Sequence, residues 1–217
     1  DLWWPCRGAT PIAPRTRTPS WCWTSRSEAY GNIVAGGANA CILHYVENDQ
    51  ALQDGTLCLV DAGCELDYYA SDVTRTWPVN GRFSPAQKDV YEAVLAAHEA
   101  ALAQCKPGQT VEGVHQTAVE VLVDGMLQLG LCKGSKDEVL ETGAYRTWYM
   151  HRTSHWLGLD VHDCGSYDKD GKPRPLEPGM VLTVEPGLYI APDQEEAPEG
   201  LRGIGVRIED DVVITEE

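Results

Sequence analysis

Apolar positions recur at helical spacing in two central segments and form short strand-like runs on either side. Val90, Tyr91, Val94, Leu95, Ala101 and Leu102 mark one face of a helix. Ahead of it, Ser84-Pro85-Ala86-Gln87 is a capping box with proline at the first helical position, and Lys106-Pro107-Gly108 ends the helix. A second helix starts after Thr110, carries Val111, Val114, Ala118, Val121, Leu122, Met126 and Leu129, and stops at Gly130. Ser135-Lys136-Asp137-Glu138 caps a third, shorter one. Leu57-Cys58-Leu59-Val60, launched by the Asp54-Gly55 turn, reads as a buried strand. Tyr68 to Trp77 reads as the next strand, with Gly63 to Asp67 as the connection. Beyond the helices, Met180 to Val184, Leu188 to Ile190 and Val206 to Ile214 read as strands. Strand pairs, then helices, then strands predict an α+β arrangement with mostly antiparallel sheet, helices covering one face and the other left for a site.

The strand runs contain an internal correspondence. Gly55-Thr56-Leu57-Cys58-Leu59-Val60-Asp61-Ala62-Gly63 lines up with Gly179-Met180-Val181-Leu182-Thr183-Val184-Glu185-Pro186-Gly187. Each is a turn glycine, a run ending in valine, a carboxylate, one residue, then glycine. Chance produces such a match about as readily as duplication. Under duplication, two half-domains bring one acid each to a shared seam, where sites tend to form.

At 217 residues the chain has room for one domain with a substantial core, or two small ones. Residues 1–27 stand apart: rich in Arg, Pro, Thr and Ser, without a period of 2 or 3.6. They hold Trp3, Trp4, Trp21 and Trp23, whereas disordered arms are poor in aromatics. The segment is expected to be a disordered arm or non-native, such as a stretch read in a shifted frame. A net charge of −16 excludes nucleic acid as a partner, because phosphate binding needs clustered Lys and Arg. No run approaches the roughly 20 apolar residues of a membrane span, and the N-terminal residues lack the pattern of a secretory signal. The eight cysteines contain no C-x-x-C pair and are expected to be free thiols of a reducing cytoplasm, Cys58 buried.

The candidate chemistry lies at strand ends. Asp61 closes an apolar strand, where an unpaired carboxylate pays a heavy desolvation cost, and Asp72 follows on the next strand. Side by side, two anions call for a cation between them; alternatively Asp61 caps a turn and Asp72 pairs with Arg75. His151, His155 and His162 fall within twelve residues. Thr153, Trp156, Gly158 and Val161 favour strand and loop over helix there, spreading the rings around a cavity. Glu185 ends a strand as Asp61 does. Alternation places Arg207 and Glu209 on one strand face and Val206 and Ile208 on the other, although Glu209-Asp210-Asp211 also reads as an exposed turn.

Taken in order, Val60-Asp61-Ala62-Gly63, Ser71-Asp72-Val73-Thr74-Arg75-Thr76, His155-Trp156-Leu157-Gly158-Leu159-Asp160-Val161-His162-Asp163, Thr183-Val184-Glu185-Pro186-Gly187 and Arg202-Gly203-Ile204-Gly205-Val206-Arg207-Ile208-Glu209-Asp210 resemble the aminopeptidase P group of the pita-bread metallopeptidases. The resemblance spans residues 30–217. It implies the pita-bread fold, with two pseudo-symmetric halves, over residues 28–217, truncated at both ends. It implies two divalent cations, manganese first and cobalt or zinc as other occupants, on Asp61, Asp72, His155, Glu185 and Glu209. Glu185 is then the proton acceptor, His162 donates to the oxyanion, and His151 assists. His44, His151, His162, Tyr189 and Arg207 shape the substrate pocket. The implied substrates are peptides with proline in second position, cut after the first residue. Full-length relatives form homo-oligomers. Arg152 departs from the group, which often has glycine there.

Proline dipeptidase shares the metal set, but Trp156 and Leu157-Gly158-Leu159-Asp160 favour the aminopeptidase. A folded but poorly active fragment is the other alternative. A binding module without catalysis is disfavoured, since all four acids and the imidazole are present.

Overall fold

The computed structural model describes residues 27–216. The expectation for residues 1–27 therefore falls, but for Ser27, outside the described residues, as do Cys6 and Cys22.

All three predicted helices form: α1 (Pro85–Gln104), α2 (Val111–Gln128) and α3 (Lys136–Thr142). Their starts follow from the caps. Ser84 and Gln87, and likewise Ser135 and Glu138, exchange reciprocal hydrogen bonds, while the Thr110 side chain accepts from the Gly113 amide. Gly143 at φ 71° ends α3 in the left-handed conformation. The helices bury Val90, Val94, Leu122 and Met126 against Leu188, Ile190 and Val206. A second apolar cluster joins Ala101, Val114 and Ala118 to Leu182, Val184 and Ile214.

Every strand pairing among the described residues is antiparallel. β1 (Ser27–Glu28), β4 (Cys64–Leu66) and β5 (Tyr69–Ala70) form one small sheet. β2 (Ile33–Gly36), β3 (Leu57–Ala62) and β6 (Val73–Pro78) form another, with β3 central. After the minor hairpin of β7 (Asp168–Lys169) and β8 (Lys172–Pro173), β9 (Val181–Val184) pairs with β12 (Asp210–Val213), and β10 (Gly187–Ile190) pairs with β11 (Ile204–Arg207). This is the expected α+β pita-bread arrangement, with helices packed on antiparallel sheet.

Two predicted strands are interrupted. Tyr68 to Trp77 breaks at Ser71-Asp72, and the connection before it contains β4. Val206 to Ile214 breaks at Ile208-Glu209. In each break an acid leaves the ladder and turns inward.

The internal correspondence extends to backbone detail. Gly55 (φ 79°) and Gly179 (φ 90°) both adopt the left-handed conformation that launches a strand. A Cβ on Gly63 would collide with the carbonyl of Ser71, and one on Gly187 with the hydroxyl of Tyr189 and the carbonyl of Val206. The glycine that follows each acid thus admits a close crossing by another chain segment.

Candidate metal centre and active site

β3 delivers Asp61 at its end, and the break before β6 delivers Asp72 beside it. Both are buried. The Tyr30 hydroxyl lies between them, 2.6 Å from Asp72 Oδ1 and in contact with Asp61 Oδ1. Arg207, itself buried, donates from Nη2 to Asp61 Oδ2 at 2.6 Å, from Nη1 to the Tyr189 hydroxyl at 3.1 Å and from Nε to Thr74 Oγ1 at 3.1 Å. Asp61 is therefore no turn cap. Nor does Asp72 pair with Arg75, whose guanidinium reaches Asp210 and the Glu209 carbonyl.

Glu209 enters from the segment between β11 and β12. Its amide donates to the Thr74 carbonyl at 3.0 Å, and Thr74 Oγ1 donates to Glu209 Oε2 at 2.6 Å. These bonds stitch β6 to the segment joining β11 and β12. The run Glu209-Asp210-Asp211 is accordingly no exposed turn. Glu209 is buried, Asp210 meets Arg75 and His98, and Asp211 Oδ2 accepts the Asp72 amide at 3.1 Å.

Residues 153–157 run antiparallel to β9. The amides of Glu185, Thr183 and Leu157 donate to the carbonyls of Thr153, His155 and Val181. That extended path, rather than a helix, sets His155 Nε2 at 3.4 Å from Asp72 Oδ2 and 3.6 Å from Glu185 Oε1. His151 contacts the Tyr189 hydroxyl through Nε2 at 2.8 Å, and its Nδ1 lies 3.6 Å from Glu185 Oε2. The rings of His155 and His162 meet edge to face.

These groups surround one cavity of about 390 Å³, lined by His44, Asp61, Asp72, His151, His155, His162, Glu185, Arg207 and Glu209, with Leu43, Arg152, Ser154 and Tyr167. Tyr189 stands behind the wall, holding His151 and Arg207. Sequence patterning missed Tyr30, Thr74 and Asp211, whose partners lie far along the chain.

The electrostatics are those of anions short of positive charge. Burial pushes Glu185 up to about 7, partly countered by His155 and Arg207. Burial raises Glu209 far above the usual carboxylate range, reinforced by Glu185, Asp72 and Asp61. Burial also raises Asp61 against the pull of Arg207 and Tyr30. Burial opposes charge on His155, yet the hydrogen bond to Asp72 and the nearby carboxylates carry it above its ordinary value. Burial drives His151 down to about 4 and lowers His162. One ligand atom each from Asp72, His155 and Glu209 lie within 4.8 Å of one another, a spacing that a single cation can span.

The sequence profile of Metallopeptidase family M24 matches residues 18–216. The chain belongs to metallopeptidase family M24. Membership implies divalent metal, and the buried acids around His155 fit it. The Xaa-Pro aminopeptidase of Escherichia coli is 54% identical over 192 residues, covering 88% of this chain and 43% of that protein. Human Xaa-Pro aminopeptidase 3 is 46% identical, covering 87% of this chain and 36% of that protein. The solved structure of Pseudomonas aeruginosa aminopeptidase PepP superposes with a TM-score of 0.88 at 56% identity, over 89% of this chain and 44% of that one. The chain thus spans less than half the length of these M24 relatives. Among the described residues no helix is long and apolar enough to cross a membrane.

Proposed function

We propose that residues 28–217 form the catalytic unit of a dinuclear-metal exopeptidase that releases the first residue from peptides with proline in second position. The convergence of four carboxylates and His155 on one cavity carries this reading, with the M24 relatives named as Xaa-Pro aminopeptidases in support. Asp61, Asp72, His155, Glu185 and Glu209 would hold two divalent cations. Four oxygen donors to one imidazole form a hard set that suits manganese. When bound, the cations supply Lewis acidity toward the scissile carbonyl and acidify water near neutral pH.

The chain's own groups do the rest. Glu185, placed 3.6 Å from both His155 Nε2 and His151 Nδ1, accepts a proton from the attacking water. His162 donates to the developing oxyanion, where a fixed donor is worth about 3–4 kcal/mol. His151, gripped by Tyr189, stays close to Glu185 and lines the substrate's path. The acidic floor receives the free amine near Asp72, which restricts attack to the first peptide bond. His44 and Arg207 shape the pocket for proline, whose amide nitrogen has no hydrogen to donate, so shape must do the recognising.

Incubation with a tripeptide such as Ala-Pro-Ala, with Mn²⁺ and with a chelator, tests the reading. Metal-dependent release of free alanine together with the dipeptide Pro-Ala is expected. Cleavage of Ala-Pro alone would establish a proline dipeptidase, and no cleavage with metal bound would refute both.

A further inference from the structure

We propose that Arg152 is a specificity-determining residue that receives the carboxylate of a short peptide at the mouth of the cavity. The inference rests on the exopeptidase reading and narrows its substrates to peptides with a nearby free C-terminus.

The floor of the cavity is acidic, through Asp61, Asp72, Glu185 and Glu209, so a zwitterionic peptide enters amine first and leaves its carboxylate toward the opening. Two permanent cations line the cavity, Arg152 and Arg207. Arg207 is buried and committed to Asp61, Tyr189 and Thr74. Arg152 follows His151 directly, and its side chain is 57% exposed. Its Nη2 donates to Glu112 Oε2 at 2.5 Å, in the first turn of α2. Among the described residues no hydrogen-bond partner engages its Nε or Nη1. A guanidinium presents five N–H donors in a planar fork matched to carboxylate, so the side chain can keep Glu112 and still take a second anion. Exchange is equally open to it, because an exposed ion pair contributes little. In a chain of net charge −16, a cation at the entrance also offsets the repulsion an incoming carboxylate meets.

The test compares Ala-Pro-Ala with its C-terminal amide on the Mn²⁺-loaded protein, by turnover and by calorimetric binding. The wild type should favour the free acid by about 3- to 10-fold, and the preference should shrink with added salt. Arg152→Gln should abolish the preference by raising KM for the acid alone, and Arg152→Lys should retain part of it. Glu112→Gln should leave the preference in place, whereas a role for Arg152 as a mere anchor for α2 would make it copy Arg152→Gln. Equal effects of Arg152→Gln on acid and amide, or none, would overturn the proposal. Calorimetry decides this even if neither peptide is cleaved, an outcome that would count against the exopeptidase reading instead.

Discussion

Replacing Arg207 with methionine removes the cation buried against the acids while roughly keeping volume. It deletes the 2.6 Å contact to Asp61 and the hydrogen bonds to Tyr189 and Thr74. Asp61 is then left buried with the Tyr30 hydroxyl as partner, facing Asp72, Glu185 and Glu209. Breaking one side of a buried ion pair costs about 3–5 kcal/mol, because the remaining charge is uncompensated. For a chain of this size, about 2–4 °C per kcal/mol turns that into a fall in Tm of about 6–20 °C for the metal-free protein. The double variant Asp61→Asn/Arg207→Met should recover most of the loss, since both partners leave together. Mn²⁺ should narrow the deficit of the single variant by binding the folded state. Thermal and urea unfolding with and without Mn²⁺ measure all three. A single-variant deficit under about 1 kcal/mol, or a double variant no better than the single, would refute the view that Arg207 neutralises the site.

Gly63→Ala would drive a Cβ into the Ser71 carbonyl and Tyr30, so it should cost about 1–3 kcal/mol and weaken Mn²⁺ binding by shifting Asp72; calorimetric titration checks both. Burial holds His98 below its ordinary pKa, only partly offset by Asp210. The folded state therefore binds fewer protons than the unfolded one below about pH 6.5, and the stability that neutral His98 contributes is full above that value and lost as pH falls toward the depressed folded pKa. Urea midpoints from pH 8 to 5 should drop more steeply for the wild type than for His98→Gln, and parallel curves would exclude this role. Ser84→Ala removes the reciprocal cap of α1 and should destabilise by about 1 kcal/mol in urea, leaving the cavity untouched. An unchanged midpoint would show that packing alone fixes that end.

The amino-acid order by itself determined the local elements and the inventory of acids. Ser84, Thr110 and Ser135 start helices because a short polar side chain reaches an amide three residues on. Leu57-Cys58-Leu59-Val60 forms a central strand because nothing in it is content in water. The carboxylates at the ends of apolar runs could be named from the sequence, and the fold gathers them around one cavity. Tertiary structure alone decided their partners. Arg75 lies three residues from Asp72 yet takes Asp210, while Tyr30 and Arg207 serve Asp61 across 31 and 146 residues of chain. It also decided the breaks at Ser71-Asp72 and Ile208-Glu209, because β propensity would carry each strand straight through. Local rules describe contacts within a few residues. The choice among distant charges depends on which side chains the closed sheets leave facing each other, where water is excluded and every buried charge must find a partner.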